Sequence, residues 1–201
     1  FDVNRGYLKW NRKYANNIIR LGLPSGVTQA IISMSMIVVQ SLTNSFGEQY
    51  IAANVIVMRV DGFAMLPNFS FGTALTTYAG QNVGAGDMGR VKSGSKQGTM
   101  LAVGTSMIIT GIILLFGHHL MGIFTNTEEL VLLSMHMMQI LAAGYIAMAI
   151  IQTLSGVMRG AGDTMTPMWL SLFQTVVLRI PLAYGMAYLT RSAEMPIGNK
   201  F

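Results

Sequence analysis

The residues best equipped for chemistry in this chain are a few ionised and polar groups set inside long apolar stretches. Arg59 and Asp61 stand in one such stretch and Arg179 in another. Ionised groups are expensive to place in hydrocarbon, so at such positions they pair, or face water or a protein interior. Arg59 and Asp61 are two residues apart and point to different faces of a helix, which excludes a pair along its surface. Asp61, Met65 and Asn68 share one face. Pro67 precedes Asn68 near the middle of the stretch, where it removes a backbone hydrogen bond and is expected to kink the helix. Interrupted helices near the bilayer midplane are where transporters hold substrates and ions. Arg179, followed by Pro181, falls near the bilayer centre at a rise of about 1.5 Å per residue. Asp61 is the acid set clearly inside, so the two charges are expected to face a common interior and pair. The competing reading is that backbone carbonyls or structural water satisfy each separately.

Uncharged polar residues add three stripes. Gln29, Ser33, Gln40 and Asn44 fall within about 60° of one another on a helix, and Tyr145, Met148, Gln152 and Ser155 within about 80°. Ser171, Thr175 and Arg179 do likewise. Three stripes on three helices suggest a shared, partly hydrated cavity. Its candidate lining is Gln40, Asn44, Asp61, Asn68, Tyr145, Met148, Gln152 and Arg179, with Asp61 the candidate ion-coupling group. Interhelical hydrogen bonding that merely glues the bundle is the alternative. No catalytic constellation is visible: there are no cysteines, His118-His119 sits at a helix end, and His136 stands alone. Neither a metal nor an organic cofactor is expected, and no Gly-rich Lys-Ser/Thr phosphate loop is present. The 17 methionines suit a cavity that accepts differently shaped ligands, and serve equally as packing filler.

The elements that position these groups follow from composition. The chain has 201 residues, 52% of them hydrophobic and 10% charged, whereas a soluble domain carries about 25% charged residues. Five apolar stretches, about 18–46, 51–82, 95–117, 130–158 and 165–189, each reach the roughly 20 residues that a bilayer core requires. Strands of a closed barrel would be shorter and strictly alternating, so the stretches are helices. The expectation is an all-α, polytopic transmembrane bundle over residues 18–190.

Arg5, Lys9, Arg12, Lys13 and Arg20, then Arg90, Lys92 and Lys96, then Arg159 all fall on one side of it. The positive-inside rule makes that side cytoplasmic, including residues 1–17 and the loops near 83–94 and 159–164. Topology thus accounts for the net charge of +5 without nucleic acid. The segment Arg5–Arg20, with Tyr7, Leu8, Trp10 and Tyr14, reads as an amphipathic interfacial stretch or a plain linker. Residues 191–201 read as an extracytoplasmic loop, and both ends of the chain as truncations. Two turns share the tetrapeptide Gly-Ala-Gly-Asp, at 84–87 and 160–163. Gly suits the left-handed residue that ends a helix and Asp caps the next one, so turn chemistry alone accounts for the repeat; an ancestral duplication is the alternative, which four residues cannot prove.

An ordered series of short motifs goes further. Leu21-Gly22-Leu23-Pro24, opening a helix, is followed by Phe46-Gly47 with Ala52-Ala53, Leu66-Pro67, and Gln81 to Asp87. Met158-Arg159-Gly160-Ala161-Gly162-Asp163-Thr164 and Arg179-Ile180-Pro181-Leu182 complete it. From about residue 15 to 190 the chain resembles the carboxy-terminal half of a bacterial MATE (multidrug and toxic compound extrusion) transporter. The resemblance implies twelve helices in two six-helix lobes, with these five as the seventh to eleventh and residues 1–17 as the cytoplasmic inter-lobe linker. It implies a plasma-membrane antiporter that exports cationic or amphipathic small molecules against H+ or Na+ by alternating access, partnered by its own amino-terminal lobe. Some bacterial members carry acids where this chain has Ile32 and Met148, so the cation site those acids build is not supported here. A lipid-linked saccharide flippase of the same broad superfamily is the nearest rival. An intramembrane enzyme and a structural membrane protein are rivals of other classes.

Overall fold

The computed structural model describes residues 11–194, with side chains described through Leu189. Arg5, Tyr7, Leu8, Lys9, Trp10, the side chain of Arg191 and residues 195–201 lie outside the described residues. Every described element is helical: α1 (Arg12–Asn44), α2 (Glu48–Gly84), α3 (Met88–Gly122), α4 (Glu128–Gly160), α5 (Met165–Leu172), a π-helical segment (Phe173–Arg179) and α6 (Ile180–Glu194). Five spans, the last running Met165–Leu189, are long and apolar enough to cross a membrane.

The helices outrun the apolar stretches, for a physical reason. Hydropathy marks only the part of a helix that meets hydrocarbon, whereas the backbone ladder continues until a cap or a left-handed residue ends it. α1 begins at Arg12 rather than 18, with Asn11 Oδ1 accepting from the Lys13 amide at 3.1 Å. Residues 12–17 are therefore continuous with the first helix, and Pro24 lies inside α1 instead of opening it. α3 starts at Met88, which shortens the expected 83–94 loop to three residues. α2 runs through Pro67 as one 37-residue helix. At about 1.5 Å per residue it spans about 55 Å, well beyond a hydrocarbon core of about 30 Å. The last helix continues to Glu194, past the expected start of a loop at 191.

The two Gly-Ala-Gly-Asp turns share one chemistry. Gly86 (φ 77°) and Gly162 (φ 89°) supply the left-handed residue. Asp87 Oδ1 then accepts from the Arg90 amide at 2.9 Å, and Asp163 Oδ1 from the Thr166 amide at 3.0 Å. Each Asp satisfies a donor that the first helical turn leaves free.

The chain divides into two compact units, Ile37–Gly162 and the flanking Phe1–Met36 with Asp163–Phe201. In the first, α2 and α4 are parallel neighbours. Ser134 Oγ donates to the Ala53 carbonyl at 3.3 Å, Asn68 Nδ2 to the Tyr145 carbonyl at 3.3 Å, and Gln49 Nε2 to Glu129 Oε1 at 3.3 Å. Farther along, glycines let the backbones meet: a Cβ on Gly72 would stand 2.9 Å from the Gln152 carbonyl oxygen. A Cβ on Gly156 would run into the Gly72 carbonyl, and one on Gly160 into the Thr76 carbonyl. Such small-residue crossings are how helices gain dispersion contact where lipid removes the hydrophobic drive. α3 runs antiparallel to both, tied by the Tyr78 hydroxyl donating to the Arg90 carbonyl at 3.1 Å and by Thr99 donating to Thr153 at 3.2 Å. Ile56, Val57, Val60 and Ala64 of α2 pack with Ile113 and Met121 of α3 and with Met138, Ala142 and Tyr145 of α4. Outward-facing residues are apolar too, Phe63, Leu115 and Ile140 among them, as expected of a surface that meets acyl chains.

Candidate functional site

The unit Ile37–Gly162 holds seven of the eight candidate lining residues, and the structure draws them into two groups. Gln40 and Asn44 are one turn apart near the end of α1, and Gln40 Nε2 donates to Asn44 Oδ1 at 2.9 Å. Asn54, in the second turn of α2, joins them by donating to Gln40 Oε1 at 3.4 Å. Asn54 carried no role in the sequence reading. The signal that would have found it is its place seven residues before Asp61 and fourteen before Asn68.

The second group lies between α2 and α4. Tyr145 is 3% exposed and Asn68 1% exposed. The Tyr145 side chain leans back toward the start of α4, as helical side chains do. Its hydroxyl donates to Met138 Sδ at 3.0 Å and lies against the Asp61 carboxylate. Asp61 itself is half-buried. Asn68 Nδ2 donates to the Tyr145 carbonyl, while Asn68 Oδ1 is buried without a hydrogen-bond partner. Met148 and Gln152 are half-buried farther along α4. The Gln152 backbone faces Gly72 of α2.

Asp61 therefore has a neutral donor as neighbour, and Arg59 serves a different surface. The Arg59 guanidinium, on an exposed residue, lies 5.8 Å from the centre of the Phe124 ring in the turn after α3, a cation–π contact. Arg179 belongs to the other unit, on the last residue of the π-helical segment, and is exposed. Thr175 of the same stripe is buried, and its carbonyl accepts from the Ile180 amide in the wide π turn. Gln29 and Ser33 of the α1 stripe are exposed. Outside the spans, a hydrogen bond from the Thr166 side chain, and then one from its backbone amide, hold the Asp163 carboxyl below its ordinary value. Among the described residues, no group of three or more His, Cys, Asp or Glu could hold a metal ion.

The MatE family model matches residues 24–185. The probable multidrug resistance protein YoeA of Bacillus subtilis is 26% identical over 187 residues, covering 93% of this chain and 40% of its own length. The multidrug resistance protein PmpM of Pseudomonas aeruginosa is 23% identical over 203 residues, covering 42% of its own length. Among solved structures, a MOP superfamily transporter from Pyrococcus furiosus shares the fold with a TM-score of 0.84 at 20% identity, over 93% of this chain and 42% of that one. A MATE structure in the bent conformation gives a TM-score of 0.80 over 88% of this chain. The chain thus spans about 40% of the length of the curated relatives it matches.

Proposed function

This chain belongs to the MatE family of multi-pass membrane transporters, and we propose on that premise that it forms part of a secondary active antiporter. The protein exports cationic or amphipathic small molecules by alternating access, driven by a gradient of H+ or Na+. It works with a second, amino-terminal lobe, a reading supported by the 40% coverage of its relatives. Arg90, Lys92, Lys96 and Arg159 mark the cytoplasmic ends of α2, α3 and α4 under the positive-inside rule. A charge crossing the membrane gains about 2.3 kcal/mol per 100 mV, which can drive export without ATP.

The observation that carries this reading is Asp61, a half-buried acid inside a span, held against the buried Tyr145. An acid inside a span is costly unless it faces water, protein or an ion, which makes Asp61 the candidate for coupling. Gln40, Asn44, Asn68, Met148 and Gln152 supply polar and soft contacts of the substrate path in the unit Ile37–Gly162, and Arg179 is a separate candidate in the other unit. The test is efflux of a fluorescent organic cation from cells expressing the full-length gene, with the H+ and Na+ gradients collapsed separately. Export should fall when one gradient is collapsed, and fall in Asp61→Asn and Arg179→Ala cells at equal surface expression. Unchanged efflux and folding in Asp61→Asn would remove Asp61 from coupling. Accumulation of lipid-linked saccharides without any change in dye export would favour a flippase instead.

A further inference from the structure

Three polar residues of α2 follow one another at seven-residue intervals: Asn54, Asp61 and Asn68. Seven residues is nearly two turns, so successive members stand about 10.5 Å apart along the axis and drift by about 20° around it. Each finds a polar neighbour on another helix. Asn54 donates to Gln40 of α1 at 3.4 Å, and Gln40 donates on to the exposed Asn44. Asp61 lies against the Tyr145 hydroxyl of α4. Asn68 donates to the Tyr145 carbonyl, and its own Oδ1, in a residue only 1% exposed, has no partner. A buried acceptor left unpaired is costly, and it marks a place where a water or a mobile proton donor fits. Arg59, the nearest charge in sequence, is engaged by the Phe124 ring, and the buried Ser106 and Thr110 of α3 are uncharged.

We propose that Asn54, Asp61 and Asn68 form a hydrated polar ladder that admits water and protons to Asp61 from the Glu48 end of α2. Gln40 and Asn44 form its mouth, and Asn68 Oδ1 is its last acceptor. The ladder gives the coupling role of Asp61 argued above a supply route and rests on that reading for its purpose. The route itself is tested without measuring transport.

This chain has no cysteine of its own. Single cysteines are placed at Asn54, Asp61 or Met65 on the ladder face, and at Val60 or Ala64 on the packed face, in a full-length protein freed of other cysteines. Right-side-out vesicles are treated with a membrane-impermeant cationic methanethiosulfonate. Asn54→Cys and Asp61→Cys should react about tenfold faster than Val60→Cys and Ala64→Cys, the factor expected when an apolar site raises a thiol pKa by about one unit. Adding Asn54→Leu should return the Asp61→Cys rate to that of Ala64→Cys. Met65→Cys replaces Asp61→Cys if the latter does not fold, as judged by size-exclusion elution. Labelling on the ladder face no faster than at Ala64, or unaffected by Asn54→Leu, overturns the route. Fast labelling with intact efflux in Asp61→Asn would retire the coupling role and leave the ladder standing.

Discussion

The crossing of α2 and α4 yields the sharpest stability prediction. Adding a single methyl at Gly156 would drive it into the Gly72 carbonyl, and adding one at Gly160 would drive it into the Thr76 carbonyl. A carbonyl in a helical ladder cannot rotate aside as a side chain does, so the two helices must separate. Overpacking of this kind costs about 1–3 kcal/mol, while Ala in place of Gly inside a helix gains about 0.5–1 kcal/mol. The net for Gly156→Ala and Gly160→Ala is a loss of up to about 2.5 kcal/mol, centred at about 1 kcal/mol, once the propensity gain offsets part of the clash. Gly72→Ala meets its obstacle at 2.9 Å and Gly80→Ala at 3.3 Å, so their losses are progressively smaller. Gly104 has nothing within 4 Å of a new Cβ, so Gly104→Ala should only gain. Thermal unfolding of purified full-length protein should rank the variants 156 and 160 lowest, then 72, then 80, with 104 at or above the parent. A Gly156→Ala protein as stable as Gly104→Ala would refute the close crossing.

Two further outcomes are expected. Replacing Asn68 with Leu deletes a buried unpaired oxygen, whose burden is about 1–3 kcal/mol, together with the bond to the Tyr145 carbonyl. Asn68→Leu should therefore unfold within about 1 kcal/mol of the parent, in the same thermal assay, while dye efflux falls; equal loss of both would mean that Asn68 only supports the fold. The Asp163 carboxyl sits below its ordinary value because Thr166 bonds its charged form. Its capping is then complete above the ordinary carboxylate range and is lost as pH falls through the lowered value. Acidification should release the hydrogen-exchange protection of the Thr166 amide in the parent and leave it flat in Asp163→Asn.

Five spans were legible because hydropathy reports the one property that lipid selects, and the order of the short motifs pointed to the family. The limits of the helices were not legible, since Arg12–Asn17 and Met88–Gly94 are polar yet stay in the ladder once Asn11 and Asp87 cap it. Asp61, Asn68 and Tyr145 were each singled out by the cost of a polar group in hydrocarbon, and they meet in one unit. The Gly156-x-x-x-Gly160 pattern was in plain view. What decides its importance is the partner backbone opposite, Gly72 and Thr76, each 84 residues earlier in the chain, which leaves no local trace. The π-helical turn also lacks a signature: its residues Phe173 to Arg179 include neither Gly nor Pro, and only Pro181 hints that the ladder is disturbed there.

That turn has a mechanical meaning for the fifth span. A π turn accommodates one more residue than the α turn it replaces. Rewinding Phe173–Arg179 to α geometry would therefore rotate every residue beyond it by about 100° and swing the Arg179 guanidinium to a new azimuth without bending the axis. Pro181 leaves no amide there to hold either winding. The span thus carries a screw, with its one charge at the thread.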